Sequence, residues 1–152
     1  MTRMEDNIIT GNTINNNNND DDDDVYDNNE KAKVMIVDDE EDVISVLEIV
    51  LKDNGFDVDS FIDPIAALNS YKVGLYNLLI LDIKMPRMDG FELYDEIKKI
   101  DNKAKVCFLT ASQVYYMKLR KEKYHLLDKD LFIQKPIANE DLIAELNKIL
   151  NS

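Results

Sequence analysis

VMIVDDE, residues 34–40, decides the fold: four apolar residues, three of them β-branched, run unbroken into three consecutive acids. A β-branched-rich run of this length reads as a strand buried on both faces, which belongs in a parallel sheet covered by helices. Working outward, residues 41–53 place Val43, Ile44, Leu47, Val50 and Leu51 on one helical face, and Gly55 stops that helix. Phe56–Phe61 alternates like a half-buried strand. Asp63 reads as an N-cap with Pro64 at the first helical position, opening a helix through about Tyr71. Leu78–Leu81 is a second buried strand, followed by a Pro-containing loop and a helix near 90–100 with Phe91, Tyr94 and Ile97 inward. Val106–Leu109 is another buried strand, then a helix over 113–127 and a short strand at Leu131–Ile133. The last helix begins at Asn139 as its cap and carries Leu142, Ile143, Leu146, Ile149 and Leu150 on one stripe. Five strand–helix units predict an α/β fold with one parallel sheet, both faces covered and right-handed crossovers.

Composition bounds the rest. The 152 residues carry 31 acids against 18 bases, a net charge of −13, which argues against direct binding of nucleic acid or an anionic membrane surface. One cysteine excludes a disulfide framework, and with one histidine it excludes a zinc finger. No window has the ~18 apolar residues of a membrane span, so a cytoplasmic protein is expected. Residues 1–30 hold nine Asn and seven Asp, including the runs Asn15–Asn19 and Asp20–Asp24, and account for −8 of the charge. Their few apolar residues show no period, so a disordered acidic tail is expected, a solubilising leader to a domain at 31–152.

In a doubly wound sheet, ligands bind beyond the carboxyl ends of the strands. Asp38, Asp39 and Glu40 follow the first strand, Asp82 the third, Thr110 the fourth, and Lys135-Pro136 the fifth. Any one of these is a weak signal, and Asp38 or Thr110 alone reads as a helix cap. Together they would converge on one crevice, where two carboxylates about 4 Å apart repel by roughly 4 kcal/mol at an effective dielectric near 20. A cation is the natural compensation, and Mg²⁺ suits oxygen ligands while leaving positions for water and phosphate. Lys135 adds a compact positive charge and Thr110 a hydroxyl, a set able to stabilise transferred phosphoryl charge.

The segments VMIVDDE (34–40), LLILDIKMPRMDG (78–90), VCFLTAS (106–112) and LFIQKP (131–136) resemble the receiver domains of two-component response regulators over roughly 33–152. The resemblance implies a flavodoxin-like receiver fold, a five-stranded doubly wound parallel sheet of order 2-1-3-4-5. It implies that Asp82 accepts a phosphoryl group from a phosphohistidine on a sensor histidine kinase or phosphotransfer protein. Asp39, Asp82 and the backbone carbonyl of Lys84 would ligate Mg²⁺, with Asp38 holding a coordinated water. Lys135 would contact the phosphoryl group, Thr110 would move to bond it, and Phe132 stands where the family keeps a switch aromatic. The Lys135-Pro136 bond is typically cis in relatives.

Phe132 lacks a phenol hydroxyl, so its switching would act through packing alone. Lys84 and Ser112 each lie two residues beyond a motif position and would flank the path of a hydrolytic water. Lys84 reads either as a brake on hydrolysis or as a solvated loop lysine. Cys107 is expected in the core and His125 on a helix surface. Residues 117–129 gather Lys118, Arg120, Lys121, Lys123 and Lys129, either a solvated face or a partner surface. By resemblance, the downstream partner would meet the face of helix 113–127, strand 131–133 and helix 139–150, and phosphorylation-dependent dimerisation is common among relatives. With the chain ending two residues after Leu150, a receiver without an output domain is expected, catalysing only its own phosphorylation and dephosphorylation. The alternative is a phosphorylation-independent interaction module.

Overall fold

The computed structural model of the chain describes residues 31–111, 113–122 and 131–152. The acidic segment 1–30, Ser112 and the stretch 123–130 with His125 lie outside the described residues, and so do the expectations placed on them. In chain order the elements are β1 (Lys33–Val37), α1 (Glu41–Asp53), β2 (Asp57–Phe61), α2 (Pro64–Ser70), β3 (Leu78–Asp82), α3 (Gly90–Ile100), β4 (Val106–Thr110), α4 (Gln113–Glu122), β5 (Phe132–Gln134) and α5 (Asn139–Leu150). The five strands pair in parallel in the order β2-β1-β3-β4-β5, the predicted 2-1-3-4-5.

Strand alternation sorts the core into two layers. Val34, Ile36, Leu78, Ile80, Cys107 and Leu109 face α1 and α5, meeting Leu47, Leu51, Leu142 and Leu146. Their neighbours Met35, Val37, Leu79, Leu81 and Phe108 face the other way, onto Ala67 of α2 and Phe91, Leu93 and Ile97 of α3. Leu93 belongs to the inward stripe of α3, whereas Tyr94 is only half-buried. Cys107 sits fully buried as expected, its thiol pushed up to about 12 by burial.

Several boundaries differ from the sequence reading, each for a local reason. Phe56 donates its N–H to Leu51 O (3.0 Å) and so finishes the end of α1, leaving β2 to start at Asp57. Tyr71 takes an extended ψ of 135°, so α2 stops at Ser70. Strand β5 runs one residue later than expected, because Gln134 pairs in register with Thr110. Asn139 is the first helical residue of α5, not its cap. Ala138 takes that place with no side-chain bond, its carbonyl accepting from Leu142 N–H (2.9 Å). Glu140 and Asp141 in the first turn face the positive end of that helix. No helix among the described residues is long and apolar enough to cross a membrane.

Candidate functional site

Apolar strands carry their last residues to one rim of the sheet, where the chain changes from buried hydrocarbon to acid. Asp38, Asp39 and Asp82 each bring a carboxylate oxygen there, all within 4.8 Å of one another. Asp38 is 1% exposed and Asp82 6%, while Asp39 is exposed. Both Asp82 and Thr110 are the final residues of their strands and are buried. Lys135 follows β5, and its N–H donates to Thr110 O (2.8 Å), which locks the β5–α5 turn against the end of β4. Its ammonium lies 2.9 Å from Asp38 Oδ2, 3.3 Å from Asp82 Oδ1 and 3.5 Å from Glu40 Oε1. The Lys135-Pro136 bond is cis, as the resemblance implied.

Asp38 also accepts a hydrogen bond from Glu40 N–H (2.9 Å), but Glu40 itself holds the N-cap place of α1 and no side chain caps that helix, so Asp38 is not its cap. Glu40 was legible in the sequence as the third acid of the run, but its reach to Lys135 was not.

Electrostatics set the cluster under tension. Burial, and then the charge of Asp38, push the Asp82 carboxyl up to about 7, against the pull of Lys135. Burial likewise raises Asp38, opposed by its hydrogen bond from Lys135. Burial would lower the Lys135 ammonium, yet its bonds to Asp38 and Asp82 win and it is raised. One ammonium thus faces several carboxylates, two of them buried, and uncompensated buried charge is costly. An all-oxygen donor set of this kind, open on one side, fits a hard divalent cation such as Mg²⁺. The open side is a cavity of about 460 Å³, lined in part by Asp39, Asp82, Lys84, Pro86, Ala111 and Lys135.

The loop after β3 is held by backbone geometry that the sequence reading passed over. Gly90 N–H donates to Ile83 O (2.8 Å), folding the start of α3 back onto the end of β3. A Cβ at Gly90 would lie 2.3 Å from Asp82 O and 3.1 Å from both Asp82 C and Ile83 Cα. Asp89 caps the helix with a reciprocal capping box to Glu92. Arg87 takes a positive φ of 73°, and its guanidinium pairs at 2.5 Å with Asp63, the N-cap of α2. A glycine opening a helix directly after an aspartate was the available signal, since glycine is a poor helix former kept where space demands it.

Phe132, half-buried on β5, stacks on Phe108 (centroids 5.2 Å, 21° between planes) and meets Tyr116 of α4 edge-on at 4.8 Å. It therefore touches both the core and α4. On α4, Met117, Lys118 and Lys121 are exposed.

The sequence model of the response regulator receiver domain family matches residues 34–147. The transcriptional regulatory protein TctD of Salmonella typhimurium is 34% identical over 104 residues, covering 68% of this chain and 45% of that protein. DltR of Streptococcus agalactiae is 28% identical over 106 residues, covering 68% of this chain and again 45% of the relative. The chain therefore spans less than half the length of these regulators. Among solved structures, the response regulator TrrA of Thermotoga maritima, in complex with Mg²⁺–BeF, superposes with a TM-score of 0.66 at 28% identity. That match covers 78% of this chain and 98% of TrrA.

Proposed function

The chain belongs to the response regulator receiver domain family, and on that footing we propose that Asp82 accepts a phosphoryl group from a phosphohistidine donor. The observation that carries this reading is the convergence of Lys135 on Asp38 and Asp82 at 2.9 and 3.3 Å within a cluster of three carboxylates. An Asp82 carboxylate oxygen attacks phosphorus as the P–N bond to the donor imidazole breaks. The bond pair stays on the ring nitrogen, and an acyl phosphate forms. Lys135 can exchange a carboxylate for a phosphoryl oxygen with little movement, and the Thr110 hydroxyl stands at the end of the neighbouring strand to donate a second bond. Asp38, Asp39, Asp82 and the backbone carbonyl of Lys84 would hold Mg²⁺, which when bound neutralises carboxylate and phosphoryl charge.

The donor, a sensor histidine kinase or phosphotransfer protein, has a surface to rest on. An apolar groove of about 360 Å³, lined by Val43, Val46, Leu47, Ile137 and Leu142, opens beside Lys135. Thr110 drawn toward the phosphoryl group would free space for Phe132, whose edge contact with Tyr116 carries the change into α4. The face of α4, β5 and α5 is then the output surface, acting on a downstream protein in the cytoplasm.

A labelled phosphohistidine donor tests this. The label should pass to the wild type as an alkali-labile acyl phosphate and not to Asp82→Asn. Equal labelling of the two proteins would refute the assignment.

A further inference from the structure

We propose that Glu40 is a charge gate on Lys135 that selects among phosphodonors, holding back small free anions in favour of a docked protein donor; this rests on the phosphoacceptor reading above. An ammonium has three protons to give. Around Lys135 Nζ stand three carboxylates, Asp38 at 2.9 Å, Asp82 at 3.3 Å and Glu40 at 3.5 Å. Two of these are buried behind the lysine. The third is not: the Glu40 side chain is 62% exposed and lines the cavity from its solvent side. Its backbone is pinned by the N–H bond to Asp38 at 2.9 Å, which fixes the point from which the carboxylate reaches.

A phosphoryl group bound for Asp82 must therefore pass Glu40 and displace it from Lys135. For acetyl phosphate, the Asp82 oxygen bonds to phosphorus as the P–O bond breaks, and acetate leaves with the bond pair. The donor arrives as a dianion. For phosphoramidate the P–N bond breaks, the nitrogen keeps the pair and the proton it already carries, and ammonia departs; this donor arrives with a net single charge. One surface carboxylate beside that path slows a dianion about tenfold and a monoanion about threefold. A protein donor seated in the groove of Val43, Val46 and Ile137 brings binding energy from remote contacts that offsets this repulsion. The gate thus discriminates by how a donor is held as well as by its charge.

Glu40→Gln keeps the backbone bond and the side-chain length while removing the charge. The test compares second-order rate constants for phosphorylation of the full chain by acetyl phosphate and by phosphoramidate, at low and high salt, with Mg²⁺ affinity measured in parallel. The expected result is a gain of about tenfold with acetyl phosphate and about threefold with phosphoramidate, both shrinking at high salt, with Mg²⁺ affinity unchanged. Equal effects on the two donors, or none, overturn the gate, as does a loss of Mg²⁺ affinity, which would place Glu40 in the metal site. A wild type that takes the phosphoryl group from neither small donor, nor from a phosphohistidine donor, overturns the phosphoacceptor reading and this inference with it.

Discussion

Gly90→Ala is the smallest change that should disturb both fold and site. A methyl group there would lie 2.3 Å from the carbonyl oxygen of Asp82, whereas ordinary contact begins at 3.4 Å. The atoms in the way are backbone, so the start of α3 must retreat by about 1 Å from the end of β3. Overpacking of this kind costs about 1–3 kcal/mol. The retreat also stretches the bond from Gly90 N–H to Ile83 O, worth about 1 kcal/mol. Alanine returns up to about 1 kcal/mol through its better helix propensity. The net loss is about 2 kcal/mol, or a fall in Tm of roughly 5–10 °C for a domain of this size. The clash is with the carbonyl of Asp82, and the share of the strain taken up by the end of β3 shifts that residue, so Mg²⁺ affinity should fall about tenfold, as for lost support behind a metal ligand. Thermal denaturation and a Mg²⁺ titration of the purified variant measure both. A Tm within 2 °C of wild type, together with unchanged Mg²⁺ affinity, would refute the close-approach argument.

Two further predictions concern charge in the site. In EDTA, Asp82 should make stability depend on pH: below about 3.8 its carboxyl is protonated whether the chain is folded or not, and from there to about 7 only the folded chain keeps the proton. Stability therefore falls as pH rises through that window, and Asp82→Asn should exceed wild type by about 2–4 kcal/mol at pH 8, with the gap narrowing toward pH 5. A gap that urea denaturation finds constant across these pH values would contradict the buried repulsion. Lys84 lines the cavity, and its ammonium beside the acyl phosphate should hinder water, so Lys84→Ala should shorten the phosphoryl lifetime severalfold. An unchanged decay of the phosphorylated mass would return Lys84 to a solvated loop residue.

The architecture was legible because β1, β3 and β4 are short apolar runs that each give way to a chemically distinct group. Val37 to Asp38 and Leu81 to Asp82 change from hydrocarbon to polar group at the same height in the parallel sheet, and Leu109 to Thr110 does so one residue further along, so strand order brings them to one rim. Lys135 followed from the same logic on β5. Less legible were contacts decided by three-dimensional approach. Glu40 reaches Lys135 across 95 positions of chain, at 3.5 Å, and no local pattern encodes that distance. The pairing of Arg87 with Asp63 joins two loops whose separate sequences already had a local explanation, a turn and a helix cap. Asn139 failed as a cap because capping depends on one residue's φ and ψ, and Ala138 already held the extended geometry.

Intact mass spectrometry after exposure to acetyl phosphate tests the central claim most directly. Wild type with Mg²⁺ should gain the mass of one phosphoryl group, while wild type in EDTA and Asp82→Asn with Mg²⁺ should gain none. A gain that persists in Asp82→Asn, or that is indifferent to EDTA, would contradict the account.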